Sequence, residues 1–375
     1  MENTASVQVP SRHWRLLHIR LRYVCIVTLT AVSLSALFVG WEVCDRGCFE
    51  SESAAGEREA DAVGSLEERL GRSITLRTQA TGIGVQPEVR LYDPIRVAEI
   101  ERAVIDQHTW SDLQVFQYLG RLTITKCRFA PGTKVDFAPF SYLSTLTICE
   151  SLLTVDDVRS LINVSRLRYL EIIDAGAKPE WLRWIGQLHE LEGLEVYGIT
   201  AYSEDDIGHL AALTHLSSLA LQGLPVTLKS AGVLAKLENV KYLVLQQAKI
   251  EHGSLRQLTG LKKLRALHLD ESDLSDADTL LFSEFPNLLF LSVSRTRITD
   301  KGLEDLSKAK GLYQLDLSGT DITATALRRF LDAMPKTLHW DADNTRLSEE
   351  ELRKLHKDFP GKRDEKLELE LGYFR

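Results

Sequence analysis

Residues Leu312–Ile322 read L-Y-Q-L-D-L-S-G-T-D-I, with leucine at positions 1, 4 and 6, threonine at 9 and isoleucine at 11. The same skeleton starts at Leu119, Leu143, Leu167, Leu191, Leu216, Val240, Leu264 and Leu288. The starts lie 24 residues apart, with one step of 25. A fixed period in this range marks a stacked repeat array, in which each unit leans only on its neighbours. Within a unit, positions 3 to 5 form a short strand. Side chains alternate across a strand, so positions 1, 4 and 6 turn inward while 3, 5 and 7 turn outward.

The L-x-x-L-x-L core, present in nine copies, resembles the leucine-rich repeat family. The phrase Ile298–Leu306, I-T-D-K-G-L-E-D-L, resembles the bacterial members with short convex helices. The resemblance implies an α/β solenoid, with parallel strands on a concave face and short helices on a convex one. It also implies a binding scaffold reused for many partners, so fold alone names no function. The chain departs from the family at position 9, where asparagine or cysteine is usual. Here it holds Cys127, Ser151, Ala175, Ile199, Leu224, Ala248, Ser272, Thr296 and Thr320. A hydrogen-bonded ladder at this position is therefore expected at the two ends and apolar filling in the middle.

The second half of each repeat reads as a short helix. Thr299 or Asp300 suits its cap, with Leu303 and Leu306 on one face. Thr154–Val158 and Ser203–Ile207 show the same polar start, and their acidic residues favour a helix N-terminus.

Around the array the chain divides into further segments. Residues 1–22 are basic and polar. No charged residue occurs from Tyr23 to Trp41. A helix of that length would span roughly 28 Å, close to the thickness of a bilayer's hydrocarbon core. The arginines before it outweigh the lone Arg46 after it, which places the N-terminus in the cytoplasm and the repeats outside. An uncleaved signal anchor at residues 23–41 is the reading. A cleaved signal peptide and a buried helix are the alternatives. Residues 42–66, rich in Glu, Ala, Ser and Gly, read as a flexible acidic linker. A short helix is expected from Ser65. Residues 67–118 read as an N-terminal cap, and Ile95, one repeat period before Leu119, suggests a degenerate repeat. The nine repeats fill 119–331. Residues 332–375 read as a degenerate repeat and C-terminal cap, with a helix after the Ser348–Glu351 capping box and an edge strand at Lys366–Leu371.

The net charge is −8. Arg12, Arg15, Arg20 and Arg22 against Glu2 give the first 22 residues +3, which leaves −11 for the remainder. An acidic body disfavours nucleic acid as a partner. The five cysteines, Cys25, Cys44, Cys48, Cys127 and Cys149, are too few for a disulfide framework. Cys44 and Cys48 form either a local disulfide or two thiols.

The sequence contains no HExxH, GxSxG, Walker A or paired-cysteine metal motif. Gly82-Ile83-Gly84 lacks the strand–turn–helix setting of a phosphate loop. No catalytic residue, cofactor or metal is expected. The expected function is a membrane-anchored, non-catalytic protein that presents its repeats to a protein or glycan. A structural envelope scaffold and a subunit or adaptor of an enzyme complex are the alternatives. The best candidate patch centres on repeats six to nine: Tyr242, His268, Asp270 and Phe290 on outward positions, with Gln246, Tyr313 and Asp316 flanking the same area. Aromatic anchors ringed by polar groups are the usual make-up of a binding hot spot.

Overall fold

The computed structural model describes residues 49–78, 94–199 and 201–361. The proposed anchor, the Gly82–Gly84 stretch, Cys25, Cys44, Cys48 and the expected edge strand at 366–371 lie outside these residues. Among the described residues no helix is long and apolar enough to cross a membrane.

Among the described residues twelve strands form one sheet in chain order. They are β1 (Ile74–Thr78), β2 (Ile95–Glu101), β3 (Arg121–Thr125), β4 (Thr145–Cys149), β5 (Tyr169–Ile173) and β6 (Gly193–Val196). The sheet continues with β7 (Ser218–Leu221), β8 (Tyr242–Val244), β9 (Ala266–His268), β10 (Phe290–Ser292), β11 (Gln314–Asp316) and β12 (His339–Asp341). From β2 onward every pairing is parallel. Leu122 stands beside Leu146, Leu219 beside Leu243, and Leu291 beside Leu315. Each repeat thus stacks on the last at the same position. The longer step between repeats four and five leaves the register intact, since Gly193 pairs with Ser218. The chain folds as a leucine-rich-repeat solenoid.

The inward positions build one continuous core. Leu119, Leu122 and Ile124 are fully buried, as are Leu264, Leu267 and Leu269. Position 9 closes it. Ser272, Thr296 and Thr320 each donate a hydroxyl to the carbonyl three residues back, at 2.6, 2.6 and 2.5 Å. At the other end Ser151 donates to the Cys149 carbonyl at 2.8 Å and accepts the Cys127 amide at 2.8 Å. Ala175, Ile199, Leu224 and Ala248 fill the middle with buried apolar groups.

Position 8 turns the chain out of the strand in a left-handed conformation. Gly198, Gly223 and Gly319 adopt it without strain, but Arg102, Lys126, Glu150, Asp174, Gln247, Glu271 and Arg295 also have φ near +50°. The following repeat supplies the compensation. The amides of Lys126, Glu150, Gln247, Glu271 and Arg295 each reach the position-7 carbonyl of the next unit at 2.7–2.9 Å.

Helices α2 (Gln107–Leu113), α3 (Val155–Ser160), α4 (Leu182–Ile185), α5 (Glu204–Gly208), α6 (Leu228–Leu234), α7 (Asp300–Leu306) and α8 (Ala324–Ala333) cover the other side of the core. Capping boxes at Thr154, Ser203 and Thr227 begin three of them. The regular helix expected in every repeat is absent from three described units. Repeats six and seven carry 3₁₀ turns, Ser254–Gly260 and Asp276–Glu284. Repeat one has no helix after β3, and Pro131 and Pro139 interrupt it. Aromatic bulk fills its core instead: Trp110 meets Phe137 and Phe140 edge-on, with ring centroids 5.3 and 5.7 Å apart.

The N-terminal end corrects the sequence reading. Residues 49–66, expected to be a flexible linker, lie within the 22-residue helix α1 (Phe49–Leu70). Leu66 is fully buried and Ala62 nearly so. Ser65 and Arg69 both hold Asp112 of α2, at 2.7 and 3.3 Å. Glu59 accepts the Ile95 amide at 3.2 Å. Composition suggested disorder, and docking against the first convex helix overrides it. The short helix expected to begin at Ser65 is the last turn of α1. Strand β1 then pairs antiparallel with β2 and covers its edge. Strand β2 pairs with β3 in the register of the repeats, Ala98 beside Leu122. At the other end α9 (Glu349–Asp358) starts at the Ser348 capping box, and its His356 stacks on Trp340 at 4.0 Å.

Candidate functional site

The outward face of the sheet collects positions 3, 5 and 7 of every repeat. Full exposure of this face is not what the fold delivers. Neighbouring strands bring these side chains close enough to cover one another. Phe290, His268 and Ser292 retain only 6, 6 and 3% of their surface, and Ala266 none.

The seven candidate residues separate accordingly. His268, Asp270 and Phe290 come together. The His268 ring lies 4.5 Å from the Phe290 ring, and its Nδ1 is 3.5 Å from Asp270 Oδ2. Asp270 also accepts the Ser292 hydroxyl, and the Ser294 hydroxyl at 2.8 Å. Burial alone would raise the Asp270 carboxyl, but the bonds from His268, Ser292 and Ser294 outweigh it and hold it below the usual range. Tyr313 is buried, 3% exposed, with its ring 4.9 Å from His339. It occupies position 2, next to the strand rather than on its outer face. Tyr242, Gln246 and Asp316 remain half-exposed. Asp316 accepts the Ser318 amide at 2.8 Å. The patch is therefore a knit cluster around Asp270 with three partly open residues at its sides.

The order of groups in that cluster matters for its chemistry. The Ser292 hydroxyl lies on the carboxylate and not on the imidazole. A serine nucleophile needs the histidine between itself and the acid, so this arrangement does not activate Ser292. The cluster cross-links β9, β10 and β11 instead, since Asp316 Oδ2 also lies 3.5 Å from the Ser292 hydroxyl.

A second group on the same face was not singled out from the sequence. Glu171 of β5 and Glu195 of β6 are direct neighbours at position 5. Glu171 accepts the Thr147 hydroxyl of β4 at 3.0 Å. Glu195 is half-buried, and its Oε2 has no solvent contact and no hydrogen-bond partner among the described residues. Burial first, and the Glu171 charge second, push Glu195 up to about 8. Tyr197, two residues further on and just past the end of β6, is pushed upward by burial and then by Glu195, Glu171 and Asp270. The signal was legible as two acidic residues at one position of consecutive repeats. Their burial was not.

Among the described residues no group of three or more His, Cys, Asp or Glu side chains is placed to hold a metal ion. No protein-family model matches the chain. Solved structures similar to it include three repeat proteins. An internalin (inlF) from Listeria monocytogenes is 15% identical with a TM-score of 0.44, over 67% of this chain and 86% of that one. Internalin C2 (inlC2) from the same organism is 19% identical with a TM-score of 0.36, over 60 and 81%. A Leptospira interrogans LRR protein is 17% identical with a TM-score of 0.39, over 68 and 74%. The register of the strands, not these likenesses, defines the fold.

Proposed function

We propose that the chain is a non-catalytic binding protein that presents the outer face of its sheet to a protein partner. The observation that carries this reading is the row of half-buried polar and aromatic side chains from Tyr169 through Tyr197 and Gln222 to Tyr242, Gln246 and Asp316. Such side chains combine apolar area with directed hydrogen bonding, the mixture found at protein interfaces. A glycan is less well served. Phe290 and Tyr313, the rings best placed by sequence to stack on a sugar, are covered by their neighbours.

Residues 23–41 would tether this body to a membrane, with residues 1–22 in the cytoplasm and the repeats exported. Length, absence of charge and the arginine bias support that topology. A reporter active only outside the cytoplasm, fused after residue 48, should be active. Activity of a cytoplasmic reporter alone at that site reverses the orientation.

Binding is tested by placing a photo-crosslinking benzophenone side chain at Tyr242, on the outer face, and at Lys308, exposed at the end of α7. The expected result is a discrete protein adduct from position 242 and none from 308. Adducts from 308 alone would move the binding surface to the helical side.

A further inference from the structure

We propose that the row Arg96, Tyr118, Tyr142 and Arg166, on the edge where the chain enters the strands, receives two carboxylates of one acidic segment of the protein partner. The inference rests on the protein-binding reading above and adds a second contact beside the outer face.

Tyr118, Tyr142 and Arg166 each precede the first leucine of a repeat, Leu119, Leu143 and Leu167, so the stacking of the repeats lines them up. Arg96 reaches the row from β2, with its guanidinium carbon 5.1 Å from the centre of the Tyr118 ring. The Tyr118 and Tyr142 ring centres are 5.0 Å apart, and the Arg166 guanidinium carbon lies 4.4 Å from the centre of the Tyr142 ring. Each ring thus stands between two neighbours in the row. These contacts hold in place two guanidinium groups that long side chains would otherwise let swing. Arg166 and Tyr142 are exposed, and Arg96 and Tyr118 half-exposed, so the row is open to a partner.

What the row offers a partner is donors. Among the described residues neither arginine makes an ion pair, and the Tyr142 hydroxyl makes no hydrogen bond. Glu59, whose charge bears on Arg96, spends its carboxylate on the Ile95 amide. Glu190 stands at the equivalent place one repeat beyond Arg166 and is not paired with it. Arg168 and Glu192, on the same edge, do pair, at 3.1 Å. A guanidinium presents its N–H groups in a planar fork that fits a carboxylate, and a ring against its face leaves that fork available. The two forks stand roughly 14 Å apart, the width of three strand spacings. An extended chain rises about 3.3 Å per residue, so carboxylates about four residues apart match them. Nucleic acid fits less well. Bases need open ring faces for stacking, and these rings already face each other and the arginines. A phosphate chain following the row would also run on to Glu190.

The experiment needs no identified partner. The probe is the peptide acetyl-Glu-Gly-Ser-Gly-Glu-amide. Its neutral counterpart is acetyl-Gln-Gly-Ser-Gly-Gln-amide, and acetyl-Glu-Glu-Gly-Ser-Gly-amide carries the same charge at the wrong spacing. The readout is the side-chain Nε–H signals of Arg96 and Arg166 in the full chain, assigned by their loss in Arg96→Gln and Arg166→Gln. Both signals should shift with the spaced diacid and neither with the neutral peptide. Arg166→Gln should weaken diacid binding, followed at Arg96, about tenfold, with the remaining spectrum unchanged as proof of fold. Arg166→Lys should lose most of the same affinity, because lysine keeps the charge but not the fork. Lys301→Gln, which removes a positive charge from an exposed position on α7, should leave binding unchanged. The proposal is overturned if the neutral or the wrongly spaced peptide binds as well as the diacid, if Arg166→Gln binds like the wild type, or if Lys301→Gln weakens binding as much. An oligothymidylate that shifts both signals at about tenfold lower concentration than the diacid also overturns it, in favour of nucleic acid. If the diacid fails while position 242 still captures a protein, only this contact is lost. If position 308 alone captures one, the outer-face reading is lost, and the diacid result by itself decides this contact.

Discussion

Glu195→Gln should remove a pH-dependent weakness from the fold. In the unfolded chain this carboxyl titrates near its ordinary value of 4.5, and in the fold near about 8. Between those values the folded state holds a proton that the unfolded state has released. Stability must therefore fall as pH rises through that window. The penalty is absent below about pH 4.5, grows through neutrality and is complete above about pH 8. Each unit is worth about 1.36 kcal/mol, so the full displacement amounts to about 5 kcal/mol at its upper bound. Glutamine has nearly the same shape and cannot ionise, so the variant lacks this contribution. The assay is urea unfolding of both proteins at pH 5, 7 and 9, followed by tryptophan fluorescence. Titrating groups that do not interact with Glu195 are common to the two proteins and cancel in their difference; those that do, such as Tyr197, shift with it. The glutamine variant should gain on the wild type by several kcal/mol between pH 5 and pH 9. Glu171→Gln should recover a smaller part, because it removes repulsion but not burial. Parallel stability profiles for wild type and Glu195→Gln over that range would refute the reasoning. They would mean that water or another donor already serves the buried oxygen.

Leu267→Ala, in the centre of the core, should cost about 2–5 kcal/mol in the same denaturation assay. His268→Ala should cost about 1–3 kcal/mol, because the ring is buried against Phe290 and lies beside Asp270; a loss under about 0.5 kcal/mol would mean the outer cluster is loose. Asp276 holds the Thr299 amide at 2.8 Å and its hydroxyl at 2.6 Å, fastening one repeat to the cap of the next helix. Asp276→Ala should therefore cost about 2–4 kcal/mol in urea unfolding. Leu66→Ala should loosen α1 and speed amide exchange in α1 and β1 before it affects β9 to β12, since repeat stability is set by nearest neighbours.

The amino-acid sequence alone determined the array. Leucine at positions 1, 4 and 6 is a local pattern, and burial selects it identically in each unit, so period, strand position and core composition were all legible. The helix starts at Thr154, Ser203 and Ser348 were legible too, because a cap acts within three residues. Three features were decided only by tertiary structure. Helix α1 has the composition of a tether, and it is ordered by Asp112 and the core beneath it, which come from a later part of the chain. The left-handed turns at Lys126, Glu150 and Arg295 run against the preference of those residues, and each is held by a carbonyl of the following repeat. The outer face is the third. Alternation told which way His268, Phe290 and Glu195 point, but exposure depends on what stands beside them on the strands of the repeats before and after. There, packing closed over His268 and Phe290, and it left Glu195 with a buried oxygen and no donor among the described residues.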